Sequence, residues 1–517
     1  MELIRYLVFV IVLSVFAYAR NYDYVKYHWG DVISRRFTSS YDWIDVNNEI
    51  VPAFTILNTI SQLWRYLDYF ATNGLRPDNG TKSYDGSYLL GSVLLQQKRV
   101  KPGPCPDLYK SMFTQTPDSC PPLVLESNLD QNPFGPNGVF VWTDQYQKEI
   151  NEWLPAANHE YGIGGYNAFL TLDEVANHNL IESLKLNTWI DAYTVAVLLD
   201  FSLYNLNGNR ICAIRLLFEL PPYGGIETTS HFHVIDAFPY DRISNLVIAF
   251  FEIIFVIFYL YMVWIMFKSF RLYGKTFFKS GWNLMDIVKF VLILAVIIAR
   301  IAHDIIAWKL TSACGTEPYV DFHDLAAFEI HIRRMTSVVI IISWMRIAKY
   351  LFTMSNGLRM IKRVFLGASR NLLMFVVFFA IVMMGYVHAF FLAFNVDIPH
   401  FRSMTDSFLT AYGSIFGAGK LSFEEVQHSN FFLGPLLAFA FFASIELLLG
   451  HMFLAIIHGS YHDHRLAEKD VNFAKMVMAE INLATKATMD KHKKKTFMGR
   501  FTKAMTKIFS NKKRESG

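Results

Sequence analysis

Long apolar segments alternate with polar ones over the second half of the chain. A helix needs about 20 apolar residues to cross a bilayer, and segments of that length occur near 243–267, 282–308, 335–354, 371–395 and 431–458. Two shorter apolar segments cover 3–19 and 401–416. The pattern predicts a mainly helical membrane protein in which 401–416 is too short to span.

Residues 20–241 show a different pattern. Apolar side chains recur at helical spacing over 43–70, and further on short apolar runs alternate with turn signals at 132–136 and 221–225. Such a pattern is typical of helices packed on a small sheet. The segment therefore predicts one α+β domain that precedes the main series of apolar segments.

Composition agrees with residence in a membrane. Hydrophobic residues make up 53% of the 517 positions, 18% are charged, and mean hydropathy is +0.25, whereas a soluble protein carries more polar surface. Four cysteines exclude a disulfide-rich secreted scaffold. Zinc-site spacings, catalytic triads and phosphate-binding glycine motifs do not stand out. We therefore predict no enzymatic activity, no cofactor or metal and no nucleic-acid partner.

Loop charges predict which side of the membrane each segment faces. The stretches 268–281 and 349–370 carry Lys and Arg but no acid, and 462–517 holds 14 Lys and Arg against 6 Asp and Glu. Basic loops stay in the cytosol, so 396–430 and 20–241 lie outside or in a lumen. The basic tail fits either a contact with anionic lipid or a solvated helix surface. The first apolar segment fits either a retained span or a signal peptide cleaved after Ala17-Tyr18-Ala19.

The exported segment contains two candidate modification sites. Asn79-Gly80-Thr81 is a glycosylation acceptor triplet in a polar stretch. Cys105 and Cys120 flank a Pro-rich loop, and a bridge between them would stabilise the domain by about 3 kcal/mol in the chain-entropy model. Two free thiols are the alternative. Cys212 lies in an apolar run, which predicts a buried thiol, and Cys314 has no evident partner.

Ionisable residues inside apolar spans are costly and therefore candidates for function. Glu252 and Asp286 lie in the second and third spans, and Arg346 and Lys349 in the fourth. The three-residue spacing of Arg346 and Lys349 puts both cations on one helical face, as a voltage sensor needs. The alternative is that the pair anchors the end of the helix by reaching the interface.

The pattern of span, short segment and span over 371–458 resembles a pore. A short helix at membrane depth is tolerated where it lines a cavity or is buried in protein. It ends in Gly417-Ala418-Gly419-Lys420, where glycines free the backbone to point carbonyl oxygens at an ion. These four residues are the predicted selectivity filter, and a plain turn is the alternative.

Several strings resemble the polycystin cation channels, which are related to the transient-receptor-potential channels. They run through the outer domain and the membrane region from about residue 40 to 461. The strings are LLG at 89–91, NPFGP at 132–136, LKLNTWID at 184–191, DFSLYN at 200–205, RLLFELP at 215–221, EIIF at 252–255, WNLMDIV at 282–288 and MFLAII at 452–457.

The resemblance implies a subunit with six membrane helices, in which a four-helix sensor-like bundle and a pore module carry an α+β polycystin domain between spans 1 and 2. It implies a homotetramer, or a heterotetramer with other polycystin-type subunits, that passes cations in the plasma, ciliary or endoplasmic reticulum membrane. The first apolar segment is then a retained span. The expected boundaries are a first span at 1–20, the outer domain at 21–241, spans 2–4 at 242–356, the linker and pore module at 357–461, and a basic cytosolic tail at 462–517.

The resemblance also assigns a gate. Leu454 and His458 fall where the last span constricts the pore, so Leu454 would close it by dewetting and His458 would add pH sensitivity. Two departures favour an alternative, a poorly conducting regulatory subunit. Neither Ala418-Gly419-Lys420 nor Phe416-Gly417-Ala418 supplies the filter carboxylate of channel-forming relatives, and Glu446 lies mid-way along the last span, where relatives are apolar. A third hypothesis is a membrane-anchored receptor.

Overall fold

The computed structural model falls into two compact units, Met1–Ile347 and Ala348–Gly517. The residues whose structure it describes are 2–21, 24–39, 50–75, 86–105, 112, 119–121, 128–144, 161, 164–236, 243–354, 356–418, 421–466, 475–479 and 503.

A six-stranded antiparallel sheet forms the centre of the outer domain in unit 1. Its strand order is β2-β3-β1-β4-β5-β6. Along β4 the burial is almost continuous on both faces, which is typical of a central strand. The strands are β1 (Ser87–Arg99), β2 (Trp142–Thr143), β3 (Gly165–Leu170), β4 (Thr194–Asn205), β5 (Arg210–Glu219) and β6 (Glu227–Asp236).

Helix α1 (Glu2–Asn21) precedes the domain, and three further helices from the first half of the chain complete it. They are α2 (Tyr24–Thr38), α3 (Ile60–Tyr69) and α4 (Glu174–Leu186). Aromatic side chains join α3 to the sheet, since Tyr66 lies 5.6 Å from Phe218 and Phe70 lies 5.4 Å from Phe201, measured between ring centroids. Offset and edge contacts at such distances add to the area that the rings bury.

The sequence predicts a helix over 43–70, and this prediction is wrong for the described residues 50–59, which precede Ile60. Helix α3 begins only after Thr59, whose hydroxyl accepts from the Gln62 amide while the Gln62 side chain accepts from the Thr59 amide. This capping box fixes the start of the helix. Upstream, Pro52 precedes a single 3₁₀ turn at Phe54–Ile56. Apolar side chains there are buried from largely extended backbone, which mimics helical periodicity.

Three further helices of unit 1 form a bundle with α1. They are α5 (Ile243–Tyr273), α6 (Gly281–Ala313) and α7 (His323–Met354). Phe16 of α1 stacks on Phe255 of α5 at 4.1 Å between centroids. The Tyr6 hydroxyl of α1 donates to the Ser343 carbonyl of α7 over 2.9 Å. Helix α1 therefore packs as a member of the bundle.

Unit 2 contains the span, half-span and span that the sequence predicts. Phe390 and Phe441 lie 5.4 Å apart between centroids and join its two long helical segments. Its elements are α8 (Asn356–Phe394), α9 (Met404–Ile415), α10 (Phe423–Ser429) and α11 (Leu433–Ala443), which continues as a π-helix (Ser444–Gly450) and then as α-helix over 451–466.

Among the described residues, three helical segments are long and apolar enough to cross a membrane: Val247–Lys279, Gly357–Phe394 and Leu433–Leu466. The other predicted spans, at 3–19, 282–308 and 335–354, are helical here, and that they span stays a prediction. The basic stretches expected as loops are mostly helical, because α5 runs to Tyr273 before a 3₁₀ turn and α8 begins at Asn356.

Candidate ion pathway and charged bundle

The half-span helix α9 has a defined cap at each end. At its start the Ser403 hydroxyl accepts from the Asp406 amide over 3.0 Å. At its end Gly417 adopts φ +71°, and its amide donates to the Ser414 carbonyl while the Ala418 amide donates to the Gly413 carbonyl. This pair of bonds is a Schellman motif, which needs a residue that tolerates positive φ.

The C-terminal cap places the first predicted filter residues at the carboxyl end of α9. That end carries the negative end of the helix dipole and therefore favours a cation. Gly417 and Ala418 lie within the described residues, whereas Gly419 and Lys420 lie outside them. The role of all four as a filter stays a prediction, and the capping bonds explain why a glycine stands at 417 in either case.

The last helical segment carries the predicted gate and the pore-span acid. The Tyr386 hydroxyl of α8 lies 2.7 Å from the Ser444 hydroxyl and donates to the Ala440 carbonyl, where the helix widens into its π turn. Within a single chain Leu454 is 63% exposed, and His458 and Glu446 are exposed too. All three side chains are therefore free to meet solvent, lipid or another subunit.

The bundle gathers the sensor-like charges of Asp286 and Arg346 into one cluster. The Arg346 guanidinium donates two bonds to the Asp286 carboxylate at 2.5 and 2.9 Å, and the Lys289 ammonium donates to the same carboxylate at 2.9 Å. Both cations are buried. Asp286 is thus held by two cations, as buried charges require. Lys349 follows Arg346 by one turn of the same helix.

A second cluster surrounds Glu252. Its carboxylate lies 2.9 Å from the Arg20 guanidinium and 3.2 Å from that of Arg300, and Arg20 also contacts Asp304 at 2.9 Å. Sequence reasoning missed Arg20, Arg300 and Asp304. A signal for Arg300 existed, since the buried side chains of α6 recur at three- and four-residue spacing along one face. They are Lys289, Ile293, Val296, Arg300, His303 and Ala307, and Phe290 beside Lys289 is buried too.

The outer domain and the α6–α7 loop meet at a buried ionic group in unit 1. Arg215 of β5 makes a bidentate contact with Asp200 of β4, with 2.7 Å for the shortest bond, and lies 4.0 Å from Asp321 of the loop. Burial raises the pKa of Asp321 to about 6; Arg215 opposes this shift and Asp200 adds to it. The carboxyl of Asp321 is therefore poised to titrate just below neutral pH.

The same loop docks on an irregular point of β1. The Ser92 amide donates to the Pro318 carbonyl over 2.8 Å, and Gly91 has φ +69° beside it. A Cβ at Gly91 would lie 2.8 Å from the Pro318 oxygen. Positive φ and this close approach both require glycine. The register of β1 against β4 shifts at this point.

A disulfide joins Cys105 and Cys120, with the backbone of Cys120 paired to Gly103. Cys212 is a fully buried free thiol in β5, where burial raises its pKa. Cys314 is a half-buried free thiol. The glycosylation candidate Asn79 lies outside the described residues. In the part of the chain described, no group of His, Cys, Asp or Glu has the arrangement of a metal site.

A half-span helix between two apolar helices is typical of a membrane channel subunit, and in this chain an α+β domain precedes it in sequence. Two family models agree with this class. The polycystin domain model matches residues 53–236 and the polycystin cation channel model matches residues 240–464. The chain belongs to the polycystin cation channel family.

Curated relatives are similar over most of this chain. Zebrafish (Danio rerio) Polycystin-2 is 26% identical over 477 residues, covering 89% of this chain and 51% of the relative. Human (Homo sapiens) Polycystin-2-like protein 2 is 25% identical over 476 residues, covering 89% and 75%. Caenorhabditis elegans Polycystin-2 is 26% identical over 481 residues, covering 89% and 64%. The chain thus spans about half the length of the first relative.

Proposed function

We propose that the chain is a pore-forming subunit of a tetrameric, polycystin-type cation channel with six membrane helices. The observation that carries the proposal is the capped half-span α9, which ends in Gly417 between the two apolar helices of unit 2. Four such helices around one axis would direct their carboxyl ends at a permeating cation. Filter carbonyls from Gly417 onward would replace part of its hydration shell.

Exposed aromatic side chains support assembly with further subunits. Phe408, Tyr412 and Phe416 follow one another along α9 at four-residue spacing and are 41%, 46% and 69% exposed. In a membrane such apolar surface meets either lipid or another helix, and beside a pore axis a neighbouring copy is the occupant that fits. A homotetramer is the simplest such assembly, and a heterotetramer with other polycystin-type subunits would use the same faces.

The residues after α9 support a pore that prefers monovalent cations. Four copies of Lys420 would surround the outer mouth, and like charge repels a divalent cation about twice as strongly as a monovalent one. Leu454 forms the apolar gate, and His458 lies one turn further along. The membrane that holds the channel is the plasma or ciliary membrane or the endoplasmic reticulum.

Purified chain in a planar lipid bilayer tests the proposal. We expect a cation current that reverses near the cation equilibrium potential. Gly417→Ala should reduce it strongly, because alanine is strained at φ +71° by about 1–2 kcal/mol. Gly385→Ala is the matched control, since Gly385 lies within helix α8 with no atom within 4 Å of an added Cβ. Equal currents from both variants would contradict the filter assignment.

The second candidate function is a regulatory subunit of a heteromeric polycystin complex. Lys420 favours it in the register that takes Ala418-Gly419-Lys420 as the filter string, because Lys420 then stands where the resemblance expects an acid. This hypothesis predicts no current from the purified chain alone. It also predicts that coexpression of the chain with a conducting polycystin subunit alters the ion selectivity of that subunit. Exchange of the outer domain of the chain should then abolish this alteration.

A further inference from the structure

We propose that Glu446 faces the ion path between filter and gate and forms an internal cation site, one carboxylate from each subunit. The inference rests on the proposed function, because four copies are needed to surround the path. It assigns an ion-selecting role to an acid that belongs neither to the predicted filter nor to the predicted gate.

Glu446 lies on one helical stripe with the predicted gate. Glu446, Gly450, Leu454 and His458 follow at four-residue intervals, and residues four apart share a face of a helix. All four are exposed in the single chain. If Leu454 constricts the pore, Glu446 lies on the same side of the helix, two turns towards the filter.

The opposite side of this helical segment packs on α8. Phe441 contacts Phe390 of α8, the Ser444 hydroxyl contacts the Tyr386 hydroxyl, and Phe453 lies 6.0 Å from Phe375 between ring centroids. Leu449, on that side too, is 2% exposed. The packing fixes the rotation of the helix and leaves Glu446 turned away from α8. The π turn over Ser444–Gly450 sets this rotation, and such turns are frequent at functional sites.

The cost of desolvating a carboxylate decides whether Glu446 faces lipid or water. A carboxylate in the middle of an apolar span is costly when it faces lipid. Within the described residues no cation forms an ion pair with it, in contrast to Glu252, which has Arg20 and Arg300. A water-filled path therefore suits the carboxylate better than lipid does, and there it can hold a hydrated cation.

The chemistry of the site follows from charge. Carboxylate oxygens are hard ligands that attract Na⁺, K⁺, Mg²⁺ and Ca²⁺, and a ring of them attracts a divalent cation about twice as strongly as a monovalent one. Such a site raises the local concentration of cations behind a filter whose mouth carries Lys420. It also makes the channel sensitive to block by a divalent cation from the cytosol.

Block by Mg²⁺ measures the site directly. Sodium current through the full chain in a bilayer would be recorded while Mg²⁺ is added on the cytosolic side. We expect Glu446→Gln to raise the half-blocking concentration about tenfold, which corresponds to 1.4 kcal/mol, and Glu446→Asp to retain the block. Glu182→Gln, on the partly exposed surface of α4, is the control and should change nothing. Unaltered block in Glu446→Gln would overturn the proposal.

Chemical modification tests whether position 446 faces water, independently of whether the chain conducts ions on its own. Glu446→Cys in a Cys314→Ala background would be treated, in membranes, with a water-soluble cationic thiosulfonate, and the mass shift measured. We expect rapid modification at 446 and none of Ala438→Cys, since Ala438 is fully buried. Modification without current would sustain the water-facing position while the conducting homomer fails. No modification at 446 would overturn the internal site even if current flows.

Discussion

The bundle of unit 1 and the pore helices of unit 2 hold charge in opposite ways. In the bundle, Asp286 and Glu252 each contact two cations, most of them buried. In the described part of unit 2, the pair Arg402–Asp406 lies at the surface and Glu446 is exposed. Charges that neutralise one another within a subunit hold helices together, whereas exposed charges along the proposed pore segment remain available to ions.

The pairing of charges in the bundle gives Arg346 two candidate roles, as a gating charge and as a structural ion-pair partner. Arg346 is a candidate gating charge by its spacing with Lys349, but it is also a bidentate partner of Asp286. A gating charge that moves must exchange one carboxylate for another, and Glu252, held by Arg20 and Arg300, is a second acid within the bundle. The sensor role and the structural role of Arg346 are therefore separable by measurement, since only the first depends on voltage.

The largest expected effect comes from breaking the paired cluster. Asp286→Asn removes the carboxylate shared by Arg346 and Lys289 and leaves two buried cations uncompensated. We expect the free energy of unfolding to fall by about 3–5 kcal/mol, measured as a lower melting temperature in detergent or lipid nanodiscs. The reason is that a buried charge without its partner keeps its desolvation cost and loses the attraction that offset it.

Asp31→Asn is the matched control for this change. Asp31 pairs with Arg35 at 2.6 Å, but the two side chains are 40% and 66% exposed, and surface pairs contribute about 0–1 kcal/mol. Similar small shifts in both variants would mean that the cluster around Asp286 is hydrated in the membrane, and the contrast between the two units would fail.

The sequence predicted the order of elements better than their partners. The apolar segments became helices, and Gly417 after an amphipathic half-span marked the end of α9. Pairing could not be predicted, because Arg20 and Glu252 lie 232 positions apart and meet only when α1 packs on α5. Apolar periodicity also misled over the described residues 50–59, where Pro52 and the Thr59 cap keep buried side chains outside the α-helix.

The buried acid at the α6–α7 loop differs from Asp286 and Glu252, which each contact two cations. Asp321 shares the single cation Arg215 with Asp200. Its raised pKa means that folding favours the protonated form. Stability from this group is present below the unfolded pKa of about 4 and is lost as pH rises through about 6. We expect Asp321→Asn to stabilise the full chain by about 3 kcal/mol at pH 7.

Melting temperatures of wild type and Asp321→Asn between pH 4 and pH 8 measure this effect. The gain should be full above pH 6 and vanish towards pH 4, since both chains are then neutral at 321. The difference between variants isolates Asp321 from the other groups around it, which include Asp324, His323 and His233. A gain that is independent of pH would show that the charge of Asp321 is not its cause.

Leu454 is the apolar side chain on the helical stripe that also carries Glu446 and His458, and changing it tests the gate assignment without changing any charge. Leu454→Asn places an amide at the predicted constriction, so water wets it more readily. We expect basal current at equal surface expression to rise by about tenfold, or 1.4 kcal/mol of gate free energy. Leu447→Asn is a useful comparison, because Leu447 is 67% exposed but lies off the four-residue stripe. Equal effects of both changes would contradict the gate assignment.

The smallest expected effect concerns the charge at the pore mouth. If Lys420 rings the outer mouth in four copies, it repels divalent cations about twice as strongly as monovalent ones. Screening limits the effect, because the Debye length is about 8 Å at physiological salt, so entry is weakened without being forbidden. Lys420→Asp should therefore shift the reversal potential under bi-ionic conditions towards greater calcium permeability relative to sodium. Lys420→Gln should give about half the shift, since it removes one charge per subunit where aspartate changes two.

If calcium already permeates the wild type and neither variant alters the reversal potential, Lys420 does not face the ion path. Phe416-Gly417-Ala418 then becomes the preferred filter register, and the carboxylate of Glu446 is left as the charge that selects among cations.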